Sequence, residues 1–253
     1  SFVETPCSDV PESALGVVEG RSRSRFCRGR PRVDEAAGCG PEPGSAAAKL
    51  DWSQPVDTKC SFVRGRDSLR THISELFQTR MAYYDGAMGT MIQNQGKWLD
   101  EAAFRGERFK DYDMLIKGNN DLLSITKPEI IKGIYKEYLE VGGSRMIGTN
   151  TFSSTTIAQA DYKMENLVYE LNYAGTRLAR EACDEVTAKD PTRPRFVIGA
   201  MGPTNRTASI SPDVNDSSTR NCDFDELVAA YYEQVVGMMD GGADILFIET
   251  IFD

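Results

Sequence analysis

Four short apolar runs, separated by amphipathic stretches, constrain the fold of this chain more than any other feature. Met81-Ala82-Tyr83-Tyr84 runs into Asp85-Gly86, and Arg145-Met146-Ile147 into Gly148-Thr149-Asn150. Arg195-Phe196-Val197-Ile198 runs into Gly199 and then Gly202-Pro203-Thr204-Asn205, and Asp244-Ile245-Leu246-Phe247-Ile248 into Glu249-Thr250. None of the runs alternates apolar with polar, as a half-solvated strand would. Unbroken apolar runs of this length suit strands buried on both faces of a parallel sheet.

Parallel neighbours need a crossover, and the intervening stretches supply it. Leu69, Ile73, Leu76 and Phe77 have helical spacing, which predicts a helix over 67–79. Thr126-Lys127-Pro128-Glu129 reads as an N-cap, a first-turn proline and a capping-box acid. The helix it opens buries Ile130, Ile131, Ile134, Tyr135, Tyr138 and Leu139 and ends at Gly142-Gly143. A third helix over 164–188 carries Leu167, Val168, Leu171, Leu178 and Ala182 on one face. Asp223-Phe224-Asp225-Glu226 opens a fourth, predicted to bury Leu227, Val228, Tyr231, Val235 and Met239 before Gly241-Gly242. Strands alternating with helices mean βαβ units. Two architectures fit: a doubly wound sheet, or a (β/α)8 barrel of which four strands are half.

Residues 1–66 are a different material, rich in Gly, Pro, Ser and Arg and without an apolar period. Arg21, Arg23, Arg25, Arg28, Arg30 and Arg32 form a basic stretch, but no aromatics interleave it. It reads as a disordered or unrelated extension rather than a nucleic-acid or lipid arm. The net charge of −9 falls almost wholly on residues 67–253. An acidic globular part is a poor partner for nucleic acid, whose phosphates are bound by Lys and Arg. No apolar run approaches the ~20 residues of a membrane helix. The six cysteines show no CxxC spacing and do not read as a disulfide framework, so the expected compartment is the reducing cytoplasm.

In parallel α/β folds, chemistry sits at the carboxyl ends of the strands. Those ends here are Asp85, Thr149, Asn150, Thr204, Asn205 and Glu249. Two acids converging in one cup suit a general acid–base pair, a metal site or a clamp for a substrate ammonium, unless they merely cap helices. The turn Asp85-Gly86-Ala87-Met88-Gly89-Thr90 lacks the lysine of a phosphate loop, and Lys117-Gly118-Asn119-Asn120-Asp121 by itself says only loop. The lone His72 lies in the first helix, away from every strand end, and reads as structural, as do Cys183 and Cys222.

The words of the sequence then carry a resemblance. Asp85-Gly86-Ala87-Met88-Gly89-Thr90-Met91-Ile92-Gln93, Phe104-Arg105-Gly106-Glu107 and Lys117-Gly118-Asn119-Asn120-Asp121 follow one another in family order. So do Thr149-Asn150-Thr151-Phe152-Ser153-Ser154-Thr155, Ala158-Gln159-Ala160-Asp161-Tyr162, Gly202-Pro203-Thr204-Asn205-Arg206-Thr207 and Ile248-Glu249-Thr250-Ile251-Phe252-Asp253. From about residue 67 onward, the chain resembles the homocysteine-binding module of cobalamin-dependent methionine synthases.

The resemblance implies an α/β fold, the amino-terminal half of a (β/α)8 TIM-type barrel over 67–253. It implies a homocysteine S-methyltransferase module that passes a methyl group from methylcobalamin to homocysteine, giving methionine. In the family the aspartate and glutamate equivalent to Asp85 and Glu249 bind the substrate amino group. The backbone equivalent to Gly86 and Ala87 receives its carboxylate. The complete family domain holds zinc on three cysteine thiolates from later GxNC and GGCCG segments. Neither segment lies within these 253 residues. The expectation is therefore a partial module, inactive by itself, that relies on the remaining half barrel and on modules carrying cobalamin and methyltetrahydrofolate. Two alternatives stand beside it: a non-catalytic homocysteine-binding or pairing fragment, and a homocysteine methyltransferase with a non-cobalamin donor. The chain departs from the family pattern at Ala87, where glycine is usual, and at Arg145 and Gly148, where Asp and Glu are common. A positive φ at Ala87 would cost about 1 kcal/mol.

Overall fold

Peptide bonds from three apolar runs form a parallel sheet in the order β1 (Met146–Gly148), β2 (Phe196–Met201), β3 (Ile245–Ile248). The computed structural model describes residues 66–95 and 99–253. The extension assigned to 1–66 lies outside the described residues, apart from Arg66, which opens α1 (Arg66–Thr79); the helices after it are α2 (Met88–Asn94), α3 (Glu101–Arg105), α4 (Leu123–Thr126), α5 (Pro128–Glu140), α6 (Thr156–Gln159), α7 (Val168–Lys189) and α8 (Phe224–Gly241). β1 pairs with β2 at Met146↔Phe196, and β2 with β3 at Ile198↔Ile245.

The first run is not a strand of the expected length. Tyr84 makes one parallel bridge to Met146, supported by bonds from the Arg145 and Met146 amides to Tyr83 O and from Asp85 N to Met146 O. Met81 and Tyr83 stay exposed, so little apolar burial favours extending the pairing. The run still takes the first strand's place beside β1. A flat sheet would hold the first and fourth positions about 14 Å apart. Yet the rings of Tyr84 and Phe247 meet at 5.6 Å. The sheet therefore curls toward the face that carries both.

Alternation along the strands feeds two cores. Ile147 and Val197 face an outer layer formed by α5 (Pro128–Glu140) and α7 (Val168–Lys189), where they pack with Ile131, Ile134, Leu171 and Leu178. Met146, Phe196 and Ile198 face the other way, onto Leu69, Ile73 and Leu76 of α1. His72 belongs to this second layer, its ring 5.9 Å from that of Phe196.

Two helix readings need correction. Thr126 does not cap α5: it ends α4 (Leu123–Thr126), its hydroxyl donates back to Leu122 O, and Lys127 occupies the N-cap without a side-chain bond. Pro128 begins the helix and needs no amide partner there, so the start survives without a capping box. In α8 (Phe224–Gly241) the predicted capping box forms, with Asp223 and Glu226 each accepting the other's amide. The buried face of α8, however, is Ala230, Gln234, Gly237, Met238 and Gly241, while Val228 is half exposed. Small residues win because α8 lies directly against α7. A Cβ on Gly237 would stand 2.7 Å from Asn172 Cβ, and one on Gly241 2.6 Å from Thr176 Cβ.

An ion pair locks this helix pair to the sheet. Arg180 of α7 meets Asp244 at 2.7 Å, and the same carboxylate accepts the Val197 amide at 2.8 Å. Gln234 of α8 reaches across to Thr151 O at 2.8 Å.

The close contact of α7 and α8 makes a paired prediction. Gly237→Ala should destabilise the fold by about 1–2 kcal/mol, because overpacking outweighs the gain in helix propensity. Gly133→Ala in α5, with nothing within 4 Å of the new Cβ, should be stabilising by up to about 1 kcal/mol. Urea unfolding midpoints check both, and equal shifts of one sign would refute the packing argument.

Candidate functional site

The parallel strands deliver all their polar ends to one side, and there they line a cup of about 650 Å³. Asp85, Gly86, Ala87, Thr149, Asn150, Thr204, Asn205 and Glu249, all singled out in the sequence, contribute to its wall. His72, Cys183 and Cys222 do not.

Asp85 is not a helix cap. The helix that follows, α2 (Met88–Asn94), has Ala87 at its N-cap and no side-chain cap. Instead, Asp85 turns to β1 and accepts the Gly148 amide at 3.0 Å. Burial pushes its carboxyl up to about 7, opposed by backbone hydrogen bonds and reinforced by the charge of Glu249. Burial also raises Glu249. Among the described residues, the Glu249 carboxylate accepts no hydrogen bond. Two carboxyls, both raised by burial, therefore share one cup, and no cation lines it among the described residues.

The turn after Asp85 is shaped by tyrosines that the sequence did not single out as site residues. A Cβ on Gly86 would lie 2.8 Å from Tyr138 Oη, so a larger residue there would push the tyrosine ring aside. Tyr138 also donates to Ala87 O at 3.4 Å. Ala87 has φ −68°, which removes the cost that a positive φ would have imposed. Tyr84 fills the space beside Gly148, where a Cβ would fall 2.2 Å from its hydroxyl oxygen. That contact accounts for glycine where a larger residue is common. Burial and the charges of Asp85 and Glu249 raise the Tyr84 phenol well above its ordinary value.

The opposite wall is a closed polar network. Asp121 is buried and accepts from Ser153 N and Ser154 Oγ, both at 3.0 Å, and burial lifts its carboxyl to about 6 despite those bonds. Asn119 donates to Gln159 Oε1 at 2.7 Å, and Asn150 donates to Asn120 O and Ser124 Oγ. The Asn150 amide donates to Tyr135 Oη at 2.7 Å. The segment around Asn119 and Asp121 read only as a loop from sequence. The signal was the density of amide and hydroxyl side chains, which names no partner until the chain folds.

Zinc does not fit the described residues. No three His, Cys, Asp or Glu among them cluster so as to hold a metal ion. Cys183 is buried in α7 with its thiol donating toward Phe196 O, and burial raises it far above the usual thiol value. Cys222 is also raised. Thiols held protonated in this way are poor metal ligands.

The model for the family of homocysteine S-methyltransferases matches residues 83–253. The chain belongs to that family. Crystal structures of the homocysteine methyltransferase MmuM from Escherichia coli are similar to it: the metallated form at 22% identity over 72% of this chain, with a TM-score of 0.52, and the oxidized form at 20% over 69%, with a TM-score of 0.51. At such identity the likeness speaks for the fold alone. The chain spans 57% and 55% of the lengths of those two proteins. Among the described residues no helix is long and apolar enough to cross a membrane.

The raised carboxyl of Asp85 has a signed consequence. Between about pH 4 and 7 the folded chain holds a proton that the unfolded chain has released. The contribution of Asp85 to stability is thus fully present below pH 4 and lost as pH rises through 7. Asp85→Asn keeps an acceptor for the Gly148 amide and removes the titration. Urea midpoints at pH 5 and pH 8 should differ less in the variant than in the wild type. An undiminished difference would place the pH dependence elsewhere.

Proposed function

We propose that this chain is the homocysteine-binding portion of a homocysteine S-methyltransferase, with Asp85 and Glu249 clamping the substrate ammonium. The observation that carries the reading is that two carboxyls, both raised by burial, line one cup. An ammonium between them would relieve their mutual repulsion and restore the solvation each has lost. The backbone of Gly86 and Ala87 takes the substrate carboxylate, as the family resemblance implies. Domain limits of 67–253 and a (β/α)8 half barrel belong to the same reading. The curled three-stranded parallel sheet and its outer helices support it.

The reaction joins the homocysteine sulfur to a methyl group and releases the donor. The residues of this chain bind and orient the amino acid. The ordered motifs from Asp85 to Asp253 favour the cobalamin-dependent methionine synthases, so methylcobalamin is the donor in this reading. Modules outside this chain would carry it, together with methyltetrahydrofolate, and the rest of the barrel. Homocysteine binding without catalysis is the second reading for the stretch by itself.

Calorimetric titration of the full-length protein with homocysteine tests the clamp. Asp85→Asn and Glu249→Gln should each weaken binding about 10- to 100-fold, the worth of one charge-assisted contact. 4-Mercaptobutanoate, which lacks the amino group, should bind the wild type weakly and lose nothing further in either variant. Equal losses for both ligands would mean general damage and sink the assignment. Methionine formation by the same protein, with methylcobalamin or another donor, separates the catalytic from the binding-only reading.

A further inference from the structure

The amino-terminal end of the sheet, opposite the cup, carries a concentration of arginine. The register Met146↔Phe196 sets the preceding residues, Arg145 and Arg195, side by side at the mouth of the ladder. The Phe196 amide donates to Arg145 O at 2.8 Å and ties them together. Both are almost wholly buried, at 7% and 5% exposed. Like charges at neighbouring ladder positions repel, and burying them raises the cost.

The chain offers this pair little compensation. Arg195 Nη1 donates to Asp190 O and Arg193 O, and Arg193 Nη2 to Gly143 O, so loop carbonyls at the ends of α5 and α7 absorb part of the charge. Arg195 Nε is buried and has no partner. Among the described residues, the Arg145 guanidinium makes no hydrogen bond. Arg80 and Arg193, both exposed, add two more cations near Arg145, and Asp190 opposes them. The Asp190 carboxylate is itself engaged by the Thr192 amide and hydroxyl. The matching place in β3 shows the usual solution: Asp244 at the strand's start pairs with Arg180. At the start of β1 and β2 two cations stand where one ion pair would suffice.

We propose that Arg145 and Arg195, with Arg80 and Arg193 at the rim, form an oxyanion site for a phosphate group. Planar guanidinium forks match the oxygens of a tetrahedral anion, and a dianion offsets two buried charges at once. The site lies at the end of the sheet away from the homocysteine cup and does not depend on the function proposed for that cup.

The test is titration of the full-length protein with inorganic phosphate at fixed ionic strength. Saturable binding is expected, weakened at least tenfold by Arg145→Gln and left unchanged by Lys110→Gln, which removes a remote exposed cation. A parallel titration with phenyl phosphate distinguishes the sources. Binding of both ligands means a site open to phosphate esters, and binding of inorganic phosphate alone means the free ion. If Arg145→Gln fails to fold by circular dichroism, Arg80→Gln at the exposed rim serves instead, with about a threefold loss expected. No saturable binding, or equal affinity in the wild type and the folded arginine variant, would overturn the proposal.

Discussion

Parallel strands cannot be joined by a tight turn, so each pair must be bridged by a segment that crosses the sheet and packs on it. That requirement orders the rest of this molecule. It buries Ile147 and Val197 beneath α5 and α7, and it sends every strand's carboxyl end to the same side. The cup is a by-product of chain direction. Asp85, Thr149, Asn150 and Glu249 are far apart in sequence and share a wall because the strands before them run the same way.

Desolvation then gives the cup its chemical character. Asp85 accepts the Gly148 amide against the burial that raises it, while Asp121 on the other wall accepts the Ser153 amide and the Ser154 hydroxyl. Burial outweighs these bonds in both, raising the carboxyls to about 7 and about 6. Tyrosines 84, 135 and 138 surround the turn with phenols that are difficult to ionise. The cup therefore gathers carboxyls raised by burial beside phenol hydroxyls.

The two ends of the sheet differ in charge: Asp85 and Glu249 stand at the carboxyl end, Arg145 and Arg195 at the amino end, where Asp244 is paired with Arg180. Small residues on α8 make that pairing possible, because Gly237 and Gly241 let the helix approach α7 closely enough for Asp244 to reach Arg180.

The sequence by itself determined the elements and their polarity. Apolar runs gave β1, β2 and β3, the Asp223–Glu226 box gave the start of α8, and the residues after the runs named every acid and amide at the strand ends. Those features are local, set by a residue's own periodicity and its near neighbours. Only the tertiary structure decided that the first run makes a single bridge, that α8 buries its glycines rather than Val228, and that Thr126 closes one helix instead of opening the next. It alone joined Asn119 to Gln159 and Asp121 to Ser154, and set Arg145 beside Arg195. The physical reason is the same in each case. Periodicity tells a residue which side of its own element it faces, but the cost of burying it depends on which distant residue the fold brings against that side.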